Sequence, residues 1–323
     1  MNKVIITGAS GFVGRYLIES LNELGRPLEI VCITRTSHFD FTELYTRLHN
    51  LSIRTFHADL NDYSSIKTLL NEFRPDSVFH LASETSVSHS WSNPIGSFQN
   101  NTNIFLNLVE SIRQHQIKCK VLSIGSSEEY GIVNLRDLPL QESSPLNPVS
   151  PYAVARVSQE LLSKVYCRGY GMDIVMTRSF NHIGPGQRDA FVISSFAKQI
   201  AQCKRGKRNI IDVGDIDIVR DFLDVRDVVR AYISLMESGN SGETYNICSG
   251  KGYSLREILF KMEVLANVNI DFQVKKELIR PSDNPVIIGD NKKIVNELSW
   301  QPLISIEQSL EDLLKYWETK LIS

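Results

Sequence analysis

Tyr152 and Arg156 stand four residues apart in "SPYAVARVSQE" (150 to 160), a stretch of helical character. Residues at i and i+4 share one face of a helix, so a phenol and a guanidinium meet there. A phenol, with a reference pKa of about 10, is a poor base at neutral pH unless nearby positive charge lowers that value. Such a pair is suited to moving a proton at an oxygen that gains charge, as a carbonyl oxygen does on reduction. Guanidinium supplies the cation, but it is larger and flatter than an ammonium group and does not deprotonate. Three arrangements fit the pair: a working site built on arginine, a site that binds without efficient turnover, and an interface tyrosine with no chemistry.

A second group with chemical meaning opens the chain. "IITGASGFVGRYL" spaces Gly8, Gly11 and Gly14 between a strand-like and a helix-like run. The first glycine makes a tight turn, the second lets backbone approach a pyrophosphate, and the third allows close helix–strand packing. The unpaired N–H groups of the helix then face the anion. A carboxylate for the ribose 2′-hydroxyl is expected about 20 residues on, at the end of the second strand. That place, "CITRTSH", holds Thr34 and Arg35 instead. Arginine there pairs with a 2′-phosphate, which favours NADP(H) over NAD(H). The alternative leaves Arg35 in solvent while Asp40 curls back to the ribose. Asp59, in "HADLND", is placed either for the adenine amino group or as a helix cap.

These groups need a scaffold, and hydrophobic patterning supplies one. "KVIIT" (3 to 7), "LEIVCIT" (28 to 34), "SIRTF" (52 to 56), "SVFHLA" (77 to 82), "KVLSIG" (120 to 125) and "DIVMTRS" (173 to 179) read as buried parallel strands. Helical periodicity fills the intervals, with long helices expected from about 93 to 115 and 151 to 169. The alternation predicts an α/β fold: a Rossmann-type, doubly wound parallel sheet with ligands at the strands' carboxyl ends. After residue 180 the elements look shorter and are separated by turn signals such as "VGDID" and "CSGKG". The expected division is a cofactor-binding domain over 1–180, with a returning segment at about 221–248, and a smaller mixed substrate-binding region over 181–323.

Composition narrows the partners. The chain has 323 residues and a net charge of −2, and its longest basic stretch is "KRGKR" (204 to 208). That stretch reads as a solvated helix end, so no nucleic-acid partner is expected. Five cysteines without a CxxC pair suggest neither a disulfide framework nor a metal site. With no basic-then-apolar leader and no apolar run of membrane-spanning length, a cytoplasmic location is the expectation.

With the glycine triplet, "HLAS" after the fourth strand, "GSSEEYG" after the fifth and "PYAVAR" in hand, the chain resembles the extended short-chain dehydrogenase/reductases that act on nucleotide sugars. "RSFNHIGPGQRDAFVISSFAKQI", "VGDIDIVRDFLDVRDVVRAY" and "IRPSDNPVIIGD" look most like GDP-6-deoxy-D-mannose reductases. The resemblance implies reduction of a GDP-4-keto-6-deoxy-D-mannose to a GDP-D-rhamnose product with NAD(P)H. It makes Ser126 the hydroxyl that binds the reacting oxygen and Tyr152 the acid/base, with Arg156 where the family carries lysine. Asn101 becomes a support of the proton path. Phe12, Val13, Leu60, Leu81, Ala82 and Ser83 join the cofactor site. Asn181, Val192, Arg220, Arg280 and Asp283 become substrate contacts, the arginines at the diphosphate.

Two of these contacts have a plainer reading, an Arg220–Asp221 salt bridge and a turn-forming Asp283, and His182 reads as a loop hydrogen-bonder more than as a substrate contact. Glu128 matches the dehydratase glutamate that removes the C5 proton, which keeps a GDP-mannose 4,6-dehydratase, or a C4 oxidase or epimerase, as the alternative. Glu129 reads either as a site group or as a solvated loop charge. A non-catalytic binder is a further alternative because of Arg156. The long helices carry apolar residues on more than one face. Family members pair such helices between subunits, so the resemblance implies a homodimer through a four-helix bundle, the alternative being that the chain's own loops cover this surface.

Overall fold

The computed structural model describes residues 1–35, 48–279 and 284–322. Its first half runs β1 (Lys3–Thr7), α1 (Phe12–Glu23), β2 (Leu28–Thr34), β3 (Leu51–His57), α2 (Tyr63–Phe73), β4 (Ser77–His80), α3 (Val87–Ser92), α4 (Pro94–Phe98), α5 (Ile104–Gln114), β5 (Lys120–Ser126), α6 (Pro151–Tyr170) and β6 (Asp173–Ser179). The second half adds β7 (Asn181–Ile183), α7 (Val192–Lys204), β8 (Ile210–Val213), β9 (Val219–Asp224), α8 (Val225–Ser238), β10 (Thr244–Ile247), β11 (Gly252–Ser254), α9 (Leu255–Ala266), β12 (Asp271–Val274), β13 (Val286–Ile287), α10 (Lys292–Leu298) and α11 (Ile306–Lys320).

Seven strands form one parallel sheet in the order β10-β6-β5-β4-β1-β2-β3. Strand order reverses between β1 and β4, so the crevice that binds ligands in such sheets opens beside Thr7 and His80. Helices cover both faces. Leu17, Ile18 and Leu21 of α1 pack with Val228, Val229, Tyr232 and Leu235 of α8 on one side. Ile66, Leu69 and Phe73 of α2 pack with Phe105, Leu108 and Ile112 of α5 on the other. These apolar faces drive the assembly, each fully buried large aliphatic side chain contributing roughly 1.5–3 kcal/mol.

The second half packs a separate core from α7, α9 and α11. Its small sheets centre on β9, which pairs with β7, β11 and β13, while β8 pairs with β12. The strands are short, as expected, but the helices are not: α7, α8, α9 and α11 run 13, 14, 12 and 15 residues. Turn signals in the sequence mark chain reversals and say nothing about the length of what lies between them. In the other half, the single helix expected near 93–115 is interrupted. A π-turn over Gln99–Asn103 separates α4 from α5, and Asn101 lies within it. The basic stretch at 204–208 is a paired surface: Lys204 bonds Glu318, and Arg208 bonds Asp212. No helix among the described residues is long and apolar enough to cross a membrane.

Candidate active site

The glycine triplet makes the cradle its spacing predicts. Gly8 has φ 67°, and a Cβ there would lie 2.8 Å from the Ala82 backbone nitrogen. At Gly14 a Cβ would lie 2.4 Å from the Ala9 carbonyl oxygen, so α1 closes onto the loop only without one. Helix α1 starts at Gly11 with no side-chain cap, which leaves its first N–H groups for an anion. The walls are joined by Thr7, whose Oγ1 accepts the Ala82 N–H at 3.1 Å and pairs with His80 Nδ1 at 3.0 Å. Burial keeps His80 neutral, with a pKa lowered to about 3. Leu81, Ala82 and Ser83, half-buried beyond β4, rim this crevice.

The residues present fit a dinucleotide. Arg35 is exposed just past β2, with Nη1 3.5 Å from Asn100 Oδ1, and Thr34 stands where a ribose-binding carboxylate would be. Asp40 lies outside the described residues. Asp59 does not cap a helix: Asp62 does, accepting from Ser64 N and Ser65 N. Asp59 instead closes its own turn by accepting Asn61 N–H at 2.9 Å, and Leu60 beside it is buried. Phe12 and Val13, both half-buried, begin α1.

The residues expected to react lie on β5 and on α6, the helix packed against it. Ser126 is the last residue of β5, in register with Ser179 of β6. Ser126 Oγ accepts the Glu128 N–H at 3.2 Å, an orientation that leaves the hydroxyl proton to be donated. Ser150 caps α6 by accepting Ala153 N–H, and Pro151 occupies its first turn, so Tyr152 and Arg156 fall on the turns nearest the sheet's carboxyl edge. Both are buried, Tyr152 to 6% exposure and Arg156 to 3%. Arg156 Nε lies 3.3 Å from the Tyr152 hydroxyl, and its Nη1 donates to Ile124 O at 3.0 Å and to Gln159 Oε1 at 2.8 Å. Gln159 is anchored in turn, donating to Ser123 Oγ and Ile124 O. The guanidinium is thus fixed on β5 and aimed at the phenol. Asn101 spends its amide N–H groups on Ser97 O and Glu84 O, and its Oδ1 is buried without a partner.

On the other side of the crevice, Asn181 lies on β7, Val192 begins α7, and Arg220 lies on β9. Arg280 and Asp283 lie outside the described residues. The Asp221 carboxylate does not serve mainly to neutralise Arg220. It accepts from Ser249 N, Ser249 Oγ, Gly250 N and Gly289 N, which ties the chain at 249–250 and at 289 to β9. Burial still lifts it to about 6. His182 is a hydrogen-bonder, but it lies in the middle of β7 rather than in a loop: its Nδ1 donates to Phe180 O, and burial lowers its pKa to about 4.

Glu128 is half-buried in the 3₁₀ turn after Ser126, whereas Glu129 is no solvated charge: it is 0% exposed. Gln159, Glu160 and Arg178, which complete the back of this site, were not among the expected site residues. The available signal was Arg178 itself, a charge inside the apolar strand "DIVMTRS" that requires a buried partner.

Comparison with known proteins agrees with this fold. A GDP-6-deoxy-D-mannose reductase of Pseudomonas aeruginosa is 33% identical over 99% of this chain and 98% of its own. A GDP-mannose 4,6-dehydratase of Yersinia enterocolitica is 26% identical over 97% of this chain and 93% of its own. Among solved structures, RMD from P. aeruginosa complexed with NADPH superposes with a TM-score of 0.85 at 32% identity, covering 99% of this chain and 100% of that one. The family model for GDP-mannose 4,6 dehydratase matches residues 5–313, and the chain belongs to that family.

Proposed function

We propose that this chain reduces GDP-4-keto-6-deoxy-D-mannose, or a closely related GDP-4-keto sugar, at C4 with NADPH, giving a GDP-D-rhamnose-type product. The observation that carries the reading is the fixed Arg156 guanidinium, bonded to Ile124 O of the strand that ends at Ser126 and aimed at the Tyr152 hydroxyl. The bound nicotinamide cofactor supplies the hydride. Gly8, Gly11, Gly14 and the start of α1 hold its pyrophosphate, and Arg35 holds the 2′-phosphate. Ser126 donates a hydrogen bond from its hydroxyl to the C4 oxygen as charge develops there, and Tyr152 delivers the one proton that completes the alcohol. Arg156 balances the negative charge left on the phenol. Because guanidinium does not deprotonate, Tyr152 regains its proton by a route that bypasses Arg156.

Arg220, with Arg280, grips the diphosphate, and Asn181 and Val192 line the sugar-nucleotide side. This assigns residues 181–323 chiefly to substrate and 1–180, with the returning α8 and β10, chiefly to cofactor. A homodimer fits the exposed apolar side chains of α3, α4 and α6: Trp91 and Ile95 are 60% and 72% exposed, Leu161 and Val165 53% and 57%. Pairing these surfaces across a four-helix bundle removes them from water. Glu128, adjacent to the Oγ-orienting turn, supports a second reading as a GDP-mannose 4,6-dehydratase.

Purified protein incubated with GDP-4-keto-6-deoxymannose plus NADPH or NADH and, separately, with GDP-mannose plus NADP+ or NAD+ distinguishes these. The reductase oxidises NADPH with the keto sugar and yields a 6-deoxy alcohol. A 4-keto product from GDP-mannose, without net cofactor consumption, transfers the assignment to the dehydratase. Binding of both ligands with no turnover of either sugar makes the protein a binder.

A further inference from the structure

Behind the end of β5, away from the cofactor crevice, two buried carboxyls share one guanidinium. Glu129 Oε1 accepts the Ser126 N–H at 2.7 Å. A Cβ at position 125 would lie 2.4 Å from that same oxygen, so glycine at 125 is what lets the carboxyl reach under the strand. The other oxygen, Oε2, is fully buried with no hydrogen-bond partner. Arg178 comes no nearer than 4.0 Å to it. Each of its three nitrogens is already engaged elsewhere: Nε and Nη2 on Glu160 at 2.9 and 2.8 Å, Nη1 on Glu142 O at 3.0 Å.

We propose that Glu129 is a positioning residue for Ser126 and works as the neutral acid, its Oε1 accepting the Ser126 N–H while its Oε2–H donates to the Glu160 carboxylate. The proposal rests on the reading of Ser126 as the donor to the reacting oxygen. An ionised Glu129 would bury a second negative oxygen, without a donor, within hydrogen-bonding reach of Glu160. One proton held between the two carboxyls removes that conflict and satisfies Oε2. The surrounding charges agree. Glu160 and Lys164 face the site from α6, Arg178 from β6, Tyr130 from the same 3₁₀ turn, and Glu142 from the following loop. Burial and the Glu160 charge push Glu129 up to about 8. Burial alone would raise Glu160 too, but Arg178 and Lys164 hold it down at about 2. Ser126 is therefore set from both ends: its Oγ by the Glu128 N–H in front, its N–H by an uncharged acid behind.

The variants Glu129→Gln and Glu129→Leu test this. Gln keeps the acceptor for Ser126 and places an N–H where the acid carries its O–H, so kcat stays close to that of the wild type. Leu fills similar space without the acceptor and lowers kcat on the order of 10²-fold, with KM and NADPH affinity little changed, because a small misplacement of a reacting group carries that cost. Stability against pH is the second measurement. In the fold Glu129 sits above its ordinary value of 4.5, so the native state holds a proton that the unfolded chain releases between about 5 and 8. Its stabilising contribution falls across that window and is gone above it. The Gln variant lacks this fall, so its midpoint of unfolding gains on the wild type from about pH 5 to 8 and then runs parallel. Equal kcat losses in the two variants, or a stability difference that is flat with pH, overturn the proposal. If the wild type reduces no GDP-4-keto sugar, the functional reading fails while the pH experiment still decides whether the proton is shared.

Discussion

Two arginines lie buried behind the same strand end, and they differ in what opposes them. Arg178, 2% exposed, is met by the Glu160 carboxylate through two donors and by Glu142 O through a third. Arg156, 3% exposed, meets a phenol, a backbone carbonyl and a side-chain amide, all of them uncharged. A guanidinium paired with a carboxylate presents little net field to its surroundings. One held by neutral acceptors keeps its field, and Tyr152 is the group placed to feel it. Neighbouring cations thus divide the labour, one fastening the strand end and the other leaving its charge available to the chemistry.

The comparison breaks most visibly if Arg178 is removed. Arg178→Met leaves Glu160 in the interior with Lys164 opposite it, and we expect a loss of about 3–5 kcal/mol in urea unfolding, the range for stripping one partner from a buried pair. Arg156→Met strands no carboxylate. Its expected stability loss is smaller, about 1–3 kcal/mol for the carbonyl and amide acceptors left unpaired. Its kcat should instead fall on the order of 10²-fold, with NADPH binding, measured by fluorescence titration, much less affected. Should Arg156→Met prove as destabilising as Arg178→Met, the proposed division does not hold.

A finer measure is the coupling between Arg156 and Gln159. Arg156→Lys restores the family's usual cation but cannot bond Ile124 O, Gln159 Oε1 and the phenol in the same planar geometry. Combined with Gln159→Leu in a double-mutant cycle on kcat/KM, the two changes should depart from additivity by about 0.5–3 kcal/mol, as contacting residues do. Strict additivity would mean that Gln159 does not aim the guanidinium.

Periodicity made the sheet legible: the runs at 3–7, 28–34 and 173–179 coincide with β1, β2 and β6. Buried parallel strands read as continuous apolar runs, as β1 and β2 do. Gly8, Gly11 and Gly14 were legible for a related reason, since the absence of a side chain at fixed spacing is itself a signal. The π-turn at Gln99–Asn103 was not, because one widened turn leaves the helical pattern on either side intact. The back of the site was harder still. Glu129 and Glu160 are 31 positions apart in sequence and look like ordinary loop and helix charges until β5, β6 and α6 bring them to one guanidinium. Burial of a charge is decided by tertiary packing, so local patterning ranks Glu128 and Glu129 alike although one is half-exposed and the other sealed.

The docking of α1 onto the Gly184–Gln187 loop carries its own consequence. Tyr16 donates to Pro185 O at 2.8 Å, and the Phe12 ring stands 3.6 Å from where a Gly184 Cβ would be. The wall proposed to receive the pyrophosphate is therefore also the floor beneath the loop that leads to the proposed sugar side. The two compartments have a common partition: a length change between 183 and 188 would be transmitted to the dinucleotide cradle, and drift in one ligand's specificity has to be negotiated with the fit of the other.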